Sequence, residues 1–217
     1  MLWCVLFVSA LLLSACSATP TPTPAPTSPP LPTPTPTPAP VPDGPRFAID
    51  AERSTMRYLA TGAGLLGVIQ LPGTFGLTGR LVTLSPEADG YRVHVELIID
   101  GNSATAINGF FLSTLRSVLE IDTYPTATFT ASSDQIINLS PGGGTAPFTA
   151  TGILELRGRR RPLALPLNMT VQDGVMRATG QVTLDLFDYD VNVPTAIMNS
   201  RIVFVADITA REVSGAH

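Results

Sequence analysis

Residues 107–129 read INGFFLSTLRSVLEIDTYPTATF. Apolar Phe111, Leu112, Leu115, Val118 and Leu119 recur at i, i+3/i+4 and i+7, the spacing of a helix that buries one face. Polar Ser113, Thr114, Arg116 and Ser117 fall mostly on the other side. Asn108 or Gly109 caps the start. Tyr124-Pro125 ends any helix, because the residue before a proline is pushed out of the α region. Beyond the proline the period drops to two, with Ala127, Phe129 and Ala131 on one face and Thr126, Thr128 and Thr130 on the other. The stretch predicts one short helix feeding straight into a strand. It is the only convincing helical pattern after the N-terminal leader.

Outward from it, in both directions, the chain alternates. Met56, Tyr58 and Ala60 share a face before a Gly-rich stretch at residues 62–79, and a short strand is expected at residues 80–84. Tyr91, Val93, Val95, Leu97 and Ile99 oppose Arg92, His94, Glu96, Ile98 and Asp100. After the residue 126–131 strand comes a Gly-rich turn at residues 140–145, then Phe148, Ala150, Gly152, Leu154 and Leu156 on one face. A basic tip at residues 158–162 returns the chain into Leu163, Leu165, Leu167, Met169 and Val171. Asp173-Gly174 signals a hairpin, followed by Met176, Ala178, Gly180, Val182 and Leu184, and a last strand carries Ile202, Phe204, Ala206 and Ile208. About eight strands, each wet on one face and joined by hairpins, predict an all-β antiparallel barrel with one short helix.

A barrel of about eight strands is either filled by its own side chains or leaves room for one small ligand. Ala60, Ala131, Ala150, Gly152, Ala178, Gly180, Ala206 and Ala210 all lie on inward faces. They either leave an apolar cavity among Phe, Leu and Met, or merely let the strands curve and approach closely. The sequence leaves both open.

The N-terminal part is compositionally separate. Val5 to Leu13 is apolar but too short to span a bilayer, as in a secretory leader, and Leu13-Ser14-Ala15-Cys16 resembles a bacterial lipobox. That resemblance implies a signal peptide at 1–15, diacylglyceryl transfer to the Cys16 sulfur and a membrane-anchored lipoprotein outside the cytoplasm, in the periplasm or at the cell surface. No Arg or Lys precedes the apolar run, so an ordinary cleaved signal with a chance cysteine is the competing reading. Residues 16–45 alternate Pro and Thr, have nothing to bury and favour extended polyproline II. At about 3.1 Å per residue such a tether reaches roughly 90 Å. The barrel occupies residues 46–212, with a short tail at 213–217.

Composition excludes several chemistries. The net charge of −4 argues against nucleic acid. Both cysteines, Cys4 and Cys16, lie in the leader, so the barrel has no disulfide, thiolate nucleophile or cysteine metal ligand. Asp185, Asp188 and Asp190 do not match a calcium loop and read as solvated carboxylates; no metal site is expected. His94 lies on a polar strand face with no nucleophile motif near it, so no enzyme is expected. Arg159, Arg160 and Arg161 read as a solvated turn that could also meet anionic headgroups.

Four segments carry a family resemblance: Phe47-Ala-Ile-Asp50 with Ser54, residues 119–129 (LEIDTYPTATF), residues 151–158 (TGILELRG) and residues 184–190 (LDLFDYD). In their order and spacing, residues 46–212 resemble the YceI-like family of lipocalin-like, polyisoprenoid-binding proteins. The resemblance implies an up-and-down, lipocalin-like barrel with the helix across one end and a long isoprenoid chain, such as a quinone tail, in the lumen. Where many members carry an Arg-Asp pair, this chain has Asn108-Gly109. The inward residues expected to meet the ligand are Met56, Tyr58, Val95, Leu97, Phe129, Leu154, Met169, Met176 and Phe204, with Phe111 and Leu115 of the helix closing one end. Burying ten methylenes gives roughly 8 kcal/mol gross, against about 4–15 kcal/mol for association and ordering. Useful binding therefore needs chains well beyond ten carbons. A side-chain-filled barrel acting through its outer surface is the competing reading, and a homodimer stays open.

Overall fold

Among the described residues of the computed structural model, 44–64, 67–87, 89–139 and 143–213, the alternating segments form one antiparallel sheet. Its strands are β1 (Arg46–Ile49), β2 (Thr55–Gly64), β3 (Gly67–Glu87), β4 (Gly90–Ala106), β5 (Thr126–Ser133), β6 (Gly143–Leu156), β7 (Arg159–Gln172), β8 (Val175–Asp185) and β9 (Arg201–Val213). From β2 to β9 each strand pairs with the next in sequence, and β9 returns to pair with β2, Thr55 opposite Asp207 and Leu59 opposite Val203. The short β1 pairs with the far ends of the same two neighbours, β9 at residues 210–213 and β3 at residues 82–83. β1 and β2 thus share one position, and the sheet closes as an eight-position up-and-down barrel.

Where β1 turns into β2 the ladder to β9 is broken, and Ser54 fills the gap. Its hydroxyl donates to the Thr209 carbonyl and accepts from the Thr209 amide, both at 3.0 Å. Both residues are buried. The Thr209 carbonyl also accepts from the Asp50 amide at 2.8 Å, so the first of the four sequence segments closes onto β9 by backbone and side-chain hydrogen bonds together.

The helix α1 (Gly109–Val118) is capped by Asn108, whose side chain accepts from the Phe111 amide at 3.0 Å. Leu115 is fully buried, and Phe111, Leu112, Val118 and Leu119 pack beside it. A 3₁₀ turn (Leu186–Tyr189) follows β8.

Three sequence expectations need correction. The Gly-rich stretch expected at 62–79 is strand at its described residues, 62–64 and 67–79, and the strand expected at 80–84 belongs to the last part of the 21-residue β3. Glycine here permits close approach: a Cβ on Gly73 would lie 2.2 Å from both the Tyr58 hydroxyl and the Thr105 carbonyl. The turn at 140–145 is shorter than expected, because β6 already begins at Gly143; residues 140–142 lie outside the described ones. The basic tip is also shorter. Arg157 (φ 51) and Gly158 (φ 69) make the two-residue turn with left-handed backbone, and Arg159 is already in β7.

Apolar residues face in and Thr, Arg, Glu and Asn face out, the reverse of a barrel that spans a membrane. Every buried core hydrophobic among the described residues lies between Phe47 and Ala210, so the barrel carries its own core within that span. The leader, Cys16, the Pro/Thr stretch to residue 43 and the tail from residue 214 lie outside the described residues.

Ser54→Ala leaves the buried Thr209 amide without its acceptor. The expected loss is about 1–3 kcal/mol of unfolding free energy by urea titration. An unchanged midpoint would mean that the ladder closes without the hydroxyl.

Candidate functional site

The inward residues do not fill the bore evenly. Toward the β3–β4 and β7–β8 hairpins the interior is solid, built from Phe47, Val82, Val93, Val95, Phe148, Leu167, Met169 and Met176, all buried. Toward α1 it is hollow. The cavity has about 950 Å³ of empty space, counting its open mouth, but the centre of a water-sized sphere sweeps only about 90 Å³ of it. It is a narrow slot.

Every strand from β2 to β9 contributes to the wall: Met56 and Tyr58, Phe75, Leu97 with Ile99 and Gly101, Ala127 and Phe129, Leu154 and Leu156, Leu163 and Leu165, Val182 and Leu184, Ile202 and Phe204. Leu115 of α1 and the following Leu119, Ile121, Tyr124 and Pro125 roof it. No lining residue is charged, and the only hydroxyls are those of Tyr58, Tyr124 and Thr126. Tyr124, Pro125 and Thr126 are exposed, which places the mouth at the turn between α1 and β5. Along β4 the wall runs from residue 97 to 101, a depth of roughly 13 Å at about 3.3 Å per residue.

Of the eleven residues expected at the ligand, Met56, Tyr58, Leu97, Leu115, Phe129, Leu154 and Phe204 line this cavity. Val95, Met169 and Met176 sit in the solid half, and Phe111, half-buried against the core, does not reach the cavity; its ring lies 5.4 Å from that of exposed Phe110. Leu163, Leu165, Val182, Leu184 and Ile202 line the cavity and carry the same alternation, so their face was legible. Their height along the barrel was not. None of the eight small inward residues lines the cavity. A Cβ on Gly152 would lie 2.0 Å from the Thr130 carbonyl, and one on Gly180 2.2 Å from that of Pro166. Those two glycines serve close strand approach.

The other three family-like segments meet beside the mouth. Arg157 of the β6–β7 turn pairs with Glu120, just past α1, and donates to the Asp190 carbonyl at 2.6 Å. Glu120, Arg157 and Asp190 all have left-handed backbone, at φ 50, 51 and 56, a conformation that L-residues hold only when their surroundings impose it. Arg159 pairs with the Asp190 carboxylate at 2.7 Å, and Arg161 donates to the Asp188 carbonyl at 2.9 Å. The basic tip is exposed, as a solvated turn should be, and its Arg159 and Arg161 also bind the acidic 3₁₀ segment. The Phe187 amide, then the Ser200 hydroxyl, hold the Asp185 carboxyl below the usual range. Among the described residues no cluster of His, Cys, Asp or Glu could hold a metal.

Tyr58 closes the wall between β2 and β4. Its ring lies 5.3 Å from that of Phe75 and 6.5 Å from that of Phe204, and its hydroxyl donates to the Thr105 carbonyl at 2.8 Å. Burial pushes its pKa up to about 12. His94 Nδ1 stands 2.8 Å from the Ser132 hydroxyl, its cross-strand partner on the outer face; neither lines the cavity.

A family model for the YceI-like domain matches residues 47–210. The chain belongs to the YceI-like family. No curated protein matches it. Among solved structures it is similar to a polyisoprenoid-binding domain from Saccharophagus degradans implicated in plant cell wall breakdown (TM-score 0.57, 16% identity, covering 77% of this chain and 98% of that one). It is also similar to BcnA of Burkholderia cenocepacia (TM-score 0.59, 16% identity, covering 74% and 98%) and to a YceI protein of Campylobacter jejuni (TM-score 0.51, 16% identity, covering 65% and 85%). At these identities the likeness is one of fold, and it agrees with the lipocalin-like architecture expected from the sequence.

The mouth and the wall each yield a measurable consequence. Arg157→Met frees the roof segment, so amide exchange at residues 121–124 should accelerate at least tenfold while the β2–β9 amides stay unchanged; equal protection would show that the ion pair does not hold the roof. Tyr58, with its folded pKa raised above the ordinary value of about 10, contributes stability that is fully present below pH about 10 and is lost as pH rises through about 12. The urea midpoint should fall across that window, and Tyr58→Phe should flatten the fall.

Proposed function

We propose that this protein is a non-enzymatic carrier that holds a long-chain apolar lipid of the isoprenoid class, a quinone tail included, in the helix-end cavity. The observation that carries the reading is the slot itself, narrow, walled by carbon and free of charged groups. Such a wall rewards apolar area and offers a headgroup only three hydroxyls, so selectivity rests on chain shape and length. The Saccharophagus degradans neighbour is described as polyisoprenoid-binding, which supports the same class of ligand.

A slot roughly 13 Å deep shelters only the first part of a long isoprenoid. The rest trails through the mouth or displaces side chains of the solid half. Met169 and Met176, flexible and unbranched, are the residues there that repack most readily. The seven expected residues on the cavity wall are proposed as the first contacts. With Cys16 acylated as its lipobox-like setting implies, the barrel stands outside the cytoplasmic membrane on a Pro/Thr tether, storing, shielding or shuttling its lipid there.

The filled half of the bore favours a second reading, an envelope interaction module that acts through its outer surface. Native mass spectrometry of protein purified from its host separates the two: the carrier retains a long-chain lipid adduct, whereas only apo mass sinks the carrier reading. Ala127→Phe fills the slot from its own wall and should cut the adduct at least tenfold. Thr179→Ser, a change on the exposed outer face of β8, should keep the adduct within about twofold.

A further inference from the structure

Four connections stand at the helix end of the barrel. Three of them present exposed apolar side chains: Val68 and Ile69 on the β2–β3 hairpin, Ile107, Phe110 and Tyr124 around α1, and Phe187 on the 3₁₀ turn. Val68 is 79% exposed, Phe110 61%, Ile107 56% and Phe187 50%. These six are most of the eight large hydrophobics exposed among the described residues; the other two, Ile136 and Val213, stand elsewhere. Gly73 and Thr74 pair with Ala106 and Thr105, the last residues of β4, so the β2–β3 hairpin projects past the strand end on the side where α1 begins. Scattered single exposed hydrophobics need no explanation, but a group gathered on one end does. This group stands at the same end of the barrel as the mouth of the cavity, with Tyr124 part of that mouth.

We propose that the helix end is a membrane-docking face, whose apolar side chains enter the headgroup–acyl boundary of a bilayer and set the mouth against the lipid. This rests on the carrier reading for its purpose, though not for its geometry. Two further observations select a bilayer as the occupant. Five arginines of this end pair with carboxylates, Arg116 with Asp122, Arg157 with Glu120, Arg159 with Asp190, Arg160 with Glu155 and Arg201 with Asp185, and Arg161 donates to the Asp188 carbonyl. An end so neutralised neither repels lipid nor depends on anionic headgroups, and its attachment comes from apolar insertion.

The second observation is where the chain enters. Arg46 pairs with Val213 and Thr83, at the end of the barrel away from α1, so the mouth points away from the attachment point of the tether. The 14 residues of β6 span roughly 46 Å along the strand, and less along a tilted barrel axis. A tether reaching roughly 90 Å exceeds that length about twofold, so the barrel can invert and bring its mouth to the membrane that holds Cys16.

The test uses the chain from residue 17 onward, which lacks leader and acyl group but keeps the whole self-contained barrel. It should co-sediment with vesicles of pure phosphatidylcholine, changing less than twofold on addition of about 0.5 M salt. A Val68→Asp/Phe110→Asp double variant should bind at least tenfold less, while Ile136→Asp stays within twofold. Because the only tryptophan of the sequence, Trp3, is absent from this chain, Phe110→Trp supplies a single indole reporter. Its emission should shift to the blue and be quenched by brominated lipid. Docking is overturned if the double variant binds like its parent, if the indole of the Phe110→Trp variant is not quenched, or if binding requires anionic lipid and is stripped by salt. Lipid adduct measured on the same variants without vesicles reports separately on the lumen. An empty lumen with docking intact overturns the carrier reading and supports the docking face.

Discussion

The structure depends on closing the sheet between its first and last strands. Until β9 meets β2, the inward faces of eight strand positions have no common interior, and the hydrophobic alternation has nothing to bury against. Closure also brings together residues more than 150 positions apart, the most expensive contacts in chain entropy. At the bend from β1 to β2 the seam is held at Thr209, whose carbonyl accepts from the Asp50 amide and the Ser54 hydroxyl and whose amide donates to that hydroxyl. Closure gives every strand a neighbour on both sides, which limits edge-to-edge association, although the β7–β8 ladder stops at Leu167–Gly180, short of the helix end.

Once closed, the bore is a single volume for which all inward side chains compete. Near the hairpins at one end, Phe47, Phe148, Met169 and Met176 fill it. Near α1, Leu115, Leu119 and Ile121 roof the slot, and the side chains beneath them leave it open. A barrel half solid and half hollow separates two tasks: the solid half supplies stability, and the hollow half is free to be shaped for a guest.

The rim shows a second division of labour. Three segments far apart in sequence converge on Arg157, each with one residue in left-handed backbone. Ion pairs at a surface contribute little, but Arg157 is largely covered and joins two loops across the turn that carries it. Its role is geometric, fixing the roof relative to the 3₁₀ turn. Around it, apolar side chains face solvent and charges are matched.

Period-two alternation, the proline after the helix and the Asp173-Gly174 hairpin determined by themselves that this is a barrel with one helix, and which face of each strand points inward. Those are local properties, set by backbone sterics and by neighbours two residues away. Which inward residues border empty space was decided only by the tertiary structure, because that depends on height along the axis and on what seven other strands place at the same level. Val95 and Leu97 are neighbours on one face of one strand, yet one lies in the solid half and the other on the cavity wall. Likewise Glu120, Arg157 and Asp190 gave no sign in sequence of belonging together, since nothing local encodes a contact made only when three loops arrive at the same rim.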